Sequence, residues 1–124
     1  MIYLASAYTH ADESVMQRRY EHACKACALA VSAGLIIYSP IAHWHPIAKQ
    51  YGLRRDFEFW EESNKLFITL AKSFWILDSN GLEYSSGVKS DLRTWLNRND
   101  EAYLISVEND ELAIISAIHE IGKI

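Results

Sequence analysis

The side chains whose types and spacing could do chemistry are four carboxylates, two histidines and a serine–glycine pair. Asp78 closes the apolar run Phe74-Trp75-Ile76-Leu77, a polar loop carries Glu83 to Ser85-Ser86-Gly87-Val88, and Asp91 lies one turn further on. A helix opening at Ser-Gly presents unsatisfied N–H groups and a partial positive charge, so it can hold a phosphate or another anion, and glycine lets the ligand approach the backbone. The same field favours an ionised Asp91. Local sequence leaves a plainer alternative, in which Ser85 or Ser86 caps the helix and Asp91 only complements its dipole. Asp56, Asp78, Glu83 and Asp91 on one crevice could supply a nucleophile and a general acid or base. That is the division of labour that cleaves glycosidic bonds through an oxocarbenium-like transition state. Taken singly, each carboxylate reads as a cap or a solvated charge.

His43-Trp44-His45-Pro46 is the second cluster. In an extended segment residues two apart point to the same side, so both imidazoles would face one ligand. As a metal site the pair is incomplete. A third ligand would have to come from His10, Asp56 or Asp78, and nothing has H-E-x-x-H spacing. Contact of at least one histidine with a ligand and simple packing both stay open, and neither a metal nor a cofactor is expected.

These residues need elements to position them. Ile2 to Ala5 reads as a buried first strand followed by a loop at Ser6 to His10. A helix over residues 14–33, capped by Asp12 or Thr9, shows a stripe at Met16, Tyr20, Cys24, Cys27 and Val31 and ends at Gly34. Leu35 to Tyr38 is a second strand, stopped by Ser39-Pro40. The strand–helix–strand order with a short turn argues for parallel pairing, which brings Ser6 to His10 beside Ser39 to His45. Ile41 to Arg55 reads as a long irregular loop on the ligand edge. A second helix starts at Asp56 with a stripe at 57, 60, 64, 67, 68 and 71. Phe74 to Leu77 is the third strand, Val88, Leu92, Trp95 and Leu96 form the core face of the third helix, and Ala102 to Ser106 is a fourth strand. The isoleucines of Asp110 to Ile121 leave helix and strand both open, and the segment reads as a closing helix because the strand–helix alternation holds up to it. In an open α/β sheet of this kind ligands bind beyond the carboxyl ends of the strands.

Composition narrows the partners. The chain has 124 residues, half of them hydrophobic, which is enough for one domain with a real core. A net charge of −4 without a basic block argues against nucleic acid or an anionic membrane surface. No apolar run approaches the roughly 20 residues of a membrane span, and the N-terminus lacks the basic and apolar regions of a signal peptide, so a cytoplasmic protein is expected. Cys24 and Cys27 form a C-x-x-C inside a helical pattern with no second pair, which reads as helix packing.

Four stretches carry a resemblance: Ile2-Tyr-Leu-Ala-Ser6; Ser39-Pro-Ile-Ala-His43-x-His45-Pro-Ile-Ala48; Tyr51-Gly-Leu-x-x-Asp56-x-x-Phe59-Trp60; and Ser86-Gly-Val-x-x-Asp91. Over roughly Met1 to Trp95 the sequence resembles the family called domain of unknown function 1937, itself similar to nucleoside 2-deoxyribosyltransferases and nucleotide N-glycosidases. The resemblance implies a flavodoxin-like or Rossmann-like open sheet of four or five mainly parallel strands with helices on both faces. It implies action on the N-glycosidic bond of a nucleoside or its 5′-monophosphate, in nucleotide salvage or modification, without a cofactor. By the same resemblance Asp91 attacks the anomeric carbon or stabilises its charge, and Asp78 or Asp56 moves a proton or anchors a sugar hydroxyl. Ser86, Gly87 and Val88 hold the 5′ oxygen or phosphate, Ser6 and Tyr8 touch sugar or base, and His43, His45 and Trp60 complete the pocket. Asp91 stands where relatives carry glutamate, and Asn64 and Ser73 stand where they tend to carry aspartate. A binding protein without turnover on the same fold is the alternative. Relatives assemble so that a neighbour lines the pocket, which makes a homo-oligomer the expected state, with the C-terminal segment as its interface.

Overall fold

A computed structural model describes residues 1–124. In chain order the elements are β1 (Ile2–Ala5), α1 (Glu13–Ser32), β2 (Ile37–Tyr38), α2 (Pro40–Tyr51), α3 (Phe57–Leu70), β3 (Ser73–Leu77), α4 (Ser86–Leu96), β4 (Ala102–Glu108) and β5 (Glu111–Ile118). One sheet takes all five strands in the order β2-β1-β3-β4-β5. The first four run parallel, and β5 lies antiparallel on β4. This is a mixed α/β open sheet of the Rossmann or flavodoxin-like kind.

Side chains alternate across the central strands and so divide the core in two. Tyr3 and Ala5 of β1 and Phe74 and Ile76 of β3 face α3 and α4, where Ile68, Val88, Leu92 and Trp95 meet them. Leu4, Leu77 and Ile105 face the other way, against Ala26 of α1. Burying a large side chain of this kind contributes about 1.5–3 kcal/mol, so the fully buried Tyr3, Leu4, Phe74, Ile76 and Leu92 fix the layers. The helix stripe on α1 differs from expectation: Met16, Ala23, Ala26 and Ala30 are buried and Val31 is 61% exposed. Small alanines let the helix axis approach the sheet, and this outweighs the greater hydrophobicity of valine.

Three elements depart from the sequence reading. The segment expected as an irregular loop, Ile41 to Arg55, is mostly α2. Ser39 Oγ accepts from Ala42 N at 3.1 Å, Pro40 occupies the first turn where its missing N–H costs nothing, and Gly52 closes the helix at φ 66°. Pro46 lies inside this helix and disguised it. The segment expected as a closing helix is β5. Asn109 and Asp110 both take positive φ, 51° and 60°, giving the two-residue turn that matches strand twist, and Glu108 pairs with Glu111 directly across it. The second strand shortens to Ile37–Tyr38 because it is an edge, where Ile36 is 74% exposed.

Candidate active site

The strand order places β1 and β3 at the centre, and the loops leaving their C-terminal ends bound a cavity of about 460 Å³. That volume suits a small organic ligand, since such pockets run from about 300 to 1,000 Å³. The first loop contributes Ser6, Tyr8, Thr9 and His10; α2 contributes Ile41, Trp44, His45 and Ala48; α3 contributes Phe57, Trp60 and Asn64; and the start of α4 contributes Ser85 to Val88 and Asp91.

Asp91 shares one face of α4 with Val88, Leu92 and Trp95, at the spacing that a helix buries. A carboxyl on a core stripe is costly unless partnered, and the partner comes from β1. Tyr3 Oη donates to Asp91 Oδ2 at 2.7 Å, and Asp91 is 7% exposed. Burial pushes its pKa up to about 7; the Tyr3 hydrogen bond opposes the rise and the charge of Glu61 adds to it. The phenol of Tyr3 is raised in turn, by burial first and by Asp91 second. Asp91 therefore passes between acid and carboxylate near neutral pH, and only Oδ2 is engaged by the protein.

At the entry of α4, Ser85 Oγ accepts from Val88 N at 3.2 Å, and Lys89 N bonds Ser85 O. The amides of Ser86 and Gly87 are the helix's first two donors, without intrahelical acceptors, and both residues line the cavity. A methyl at Gly87 would only touch Phe57 at 3.5 Å, so protein packing does not demand glycine there. Gly81 is different: its φ is 86°, and a Cβ would fall 2.7 Å from Arg19 Nη2. The Arg19 guanidinium donates to the carbonyls of Tyr8, Thr9 and Asn80 at 3.3, 3.1 and 3.2 Å, which ties the β1 loop to the β3 loop. No carboxylate pairs with it, so its charge is available to the cavity. Arg55 instead forms a two-pronged ion pair with Glu13 at 2.8 and 2.7 Å.

Of the residues singled out by sequence, Ser6, Tyr8, His45, Trp60, Ser86, Gly87, Val88 and Asp91 line this cavity together. Asp56, Asp78 and His43 do not. Asp56 is held by Arg54 at 2.8 and 2.7 Å, and these bonds keep its carboxyl below the usual range. Asp78 is exposed at the end of β3, and Glu83 is exposed as well. His43 and His45 diverge because their segment is helical, where two residues turn about 200°. His45 is buried against Tyr8, Tyr20 and Gln17, whereas His43 is exposed and rests on Tyr38 and Trp44.

Arg19, Arg55, Trp44 and Phe57 also line the cavity and escaped sequence reading, and Asn64, which stands where relatives tend to carry aspartate, lines it too. Asn64 left a signal, being a polar residue on the apolar stripe of α3. Its Oδ1, Ser6 Oγ and Trp44 Nε1 are buried without a protein partner, three polar atoms at the cavity wall that call for water or ligand. No three His, Cys, Asp or Glu side chains are grouped so as to hold a metal ion. Cys24 and Cys27 are free and half-buried, and burial pushes the Cys27 thiol up to about 11, so it stays unreactive near neutral pH.

Residues 1–107 match one family model, described as Domain of unknown function (DUF1937). No curated protein matches the chain.

Proposed function

The chain belongs to the DUF1937 family, and within it we propose an enzyme that cleaves or transfers the N-glycosidic bond of a nucleoside or nucleoside 5′-monophosphate, in nucleotide salvage or modification in the cytoplasm. One observation carries the reading. A buried carboxyl poised near pH 7 sits one turn inside a helix whose first residues, with free amides, line the same cavity. A carboxylate aimed at an anomeric carbon can attack it or stabilise its developing positive charge, and a dry surrounding makes that attraction stronger. The Ser86 and Gly87 amides hold the 5′ oxygen or phosphate, with Arg19 available as counter-charge. Trp44, Trp60 and Phe57 supply an apolar wall for a base. The chemistry needs no cofactor.

The test is incubation with deoxynucleosides, ribonucleosides and their monophosphates while free base is followed by chromatography. Base release by the parent and none by Asp91→Ala is expected; equal release by both removes Asp91 from the mechanism. A second reading, a nucleotide-binding protein without turnover, is favoured by the shorter reach of Asp91, whose carboxyl is set back about 1.5 Å relative to a glutamate by one C–C step. Asp91→Glu separates the two: a gain in base release marks a weakened enzyme, and ligand binding without turnover in both marks a sensor. We propose a homo-oligomer in either case. The edge strand β5 carries Ile114 and Ile115, 66% and 48% exposed, as an apolar edge that a second copy would cover.

A further inference from the structure

With Asp56 and Asp78 outside the cavity, the reaction proposed above lacks the proton-transfer group that sequence assigned to them, and the cavity wall holds another. Tyr8 Oη stands 2.6 Å from His45 Nδ1. The buried imidazole stacks on Tyr20 at a centroid distance of 4.3 Å and meets the Tyr8 ring edge-on at 5.5 Å. Its Nε2 lies 3.0 Å from Gln17 Oε1. The Gln17 amide is itself fixed at both ends, because its Nε2 donates to Glu21 Oε1 at 3.3 Å and its Oε1 accepts from Lys49 Nζ at 3.4 Å. With an acceptor facing it, Nε2 carries the imidazole hydrogen. Nδ1 is therefore the lone-pair nitrogen, and Tyr8 donates to it.

We propose that Tyr8 and His45 form a two-residue proton relay for the step in which water attacks the anomeric carbon, an inference that rests on the N-glycosidic reading of the site. The water oxygen bonds to the anomeric carbon as the bond from that carbon to Asp91 breaks, its electron pair returning to the carboxylate. The water proton passes to Tyr8 Oη while the Tyr8 proton passes to His45 Nδ1. The imidazolium then returns the proton from Nδ1 through Tyr8 Oη to water in the cavity, which restores the starting state. Tyr8 is the catalytic residue of the pair and His45 the positioning residue behind it. The charged groups facing them are Glu13 and Glu21 on α1, Lys49 on α2 and Arg55 after α2. Burial, followed by Lys49 and Arg55, holds His45 below its ordinary pKa, so it is neutral and ready to accept at pH 7. Burial likewise raises Tyr8 and keeps it a phenol. Arg55, tied to Glu13, stands beside the Tyr8 oxygen.

Tyr8→Phe tests the relay by rapid-quench and steady-state measurement of base release beside the parent. We expect kcat to fall about 100-fold with KM changed only a few-fold, because proton transfer contributes 10²–10⁴ in rate. A burst of one base per site before the slow phase is also expected, since the bond to Asp91 still forms but is no longer hydrolysed. A parent-like kcat overturns the relay alone, as does a lowered kcat without a burst. A parent that releases no base from any substrate removes the N-glycosidic reading and the relay with it. Nitrogen chemical shifts of His45 give a readout independent of turnover: a lone pair on Nδ1 at pH 7.5 is expected, and a protonated Nδ1 overturns the relay.

Discussion

Asp91 concentrates the cost and the use of the site in one residue. Its pKa rises from 3.8 to about 7 on folding, so the native chain keeps a proton that the unfolded chain releases. The contribution of Asp91 to stability therefore falls as pH climbs from about 4 to about 7, by on the order of 4 kcal/mol for a shift of about 3 units, and changes no further above that window. Asp91→Asn removes the titration. Denaturant melts should find it more stable than the parent by a few kcal/mol at pH 8 and equal near pH 4; a variant less stable at pH 8 contradicts the assignment. Tyr3 acts in the opposite direction, since its hydrogen bond favours the carboxylate. Tyr3→Phe should move the rising limb of the pH–rate profile to higher pH, and an unmoved limb would mean that the bond does not tune Asp91. The sequence disclosed Asp91 through its place one turn after Ser-Gly and through the family resemblance, while its place on the buried stripe of α4 emerged only from the fold. It could not disclose Tyr3, because a tyrosine in a buried strand reads as core, and its partner lies 88 positions away.

Elements were legible where local chemistry and burial agreed. β1, β3, α3 and α4 followed from apolar runs and stripes, whereas α2 was hidden by Pro46 and β5 by isoleucines that suit helix and strand alike. The Asn109-Asp110 pair held the answer for β5, because two positive-φ positions between apolar runs specify a hairpin. Misreading α2 had a chemical consequence: in an extended segment His43 and His45 share a ligand, and in a helix only His45 reaches the cavity wall. The cap that ends α2 can be tested directly. Gly52 sits at φ 66° with open space around it, so Gly52→Ala meets only backbone strain and should cost about 1 kcal/mol, lowering Tm by about 3–6 °C. On α1 the close approach at Ala26 is the sensitive point. Ala26→Leu overpacks the contact with Leu4, Leu77 and Ile105 and should cost about 1–3 kcal/mol in a denaturant melt. A neutral result would mean that α1 rests on the sheet less tightly than its alanines suggest.

At the scale of the whole molecule, the sheet order sets where a ligand can sit and leaves β5 as an edge, through which the proposed oligomer would form. No helix of the chain is long and apolar enough to cross a membrane. The family match ends at residue 107, and the exposed isoleucines of β5 follow it. Ile114→Lys places a charge on that edge and should shift sedimentation from oligomer to monomer with secondary structure intact; a parent that already sediments as a monomer removes the interface. The cavity is lined by polar residues, Ser86, Gly87, Asp91 and Arg19 among them, and by the aromatic side chains of Trp44, Trp60 and Phe57. In the proposed reaction the polar groups meet a charged or hydroxylated sugar and the aromatic side chains meet a flat base. The most direct measurement is chromatography of free base from a panel of nucleosides and nucleoside monophosphates, incubated with the parent and Asp91→Asn at pH 8. Base from the parent on at least one substrate is expected, with a loss of about 100-fold or more in the variant. Release unaffected by Asp91→Asn, or no release from any substrate, would contradict it.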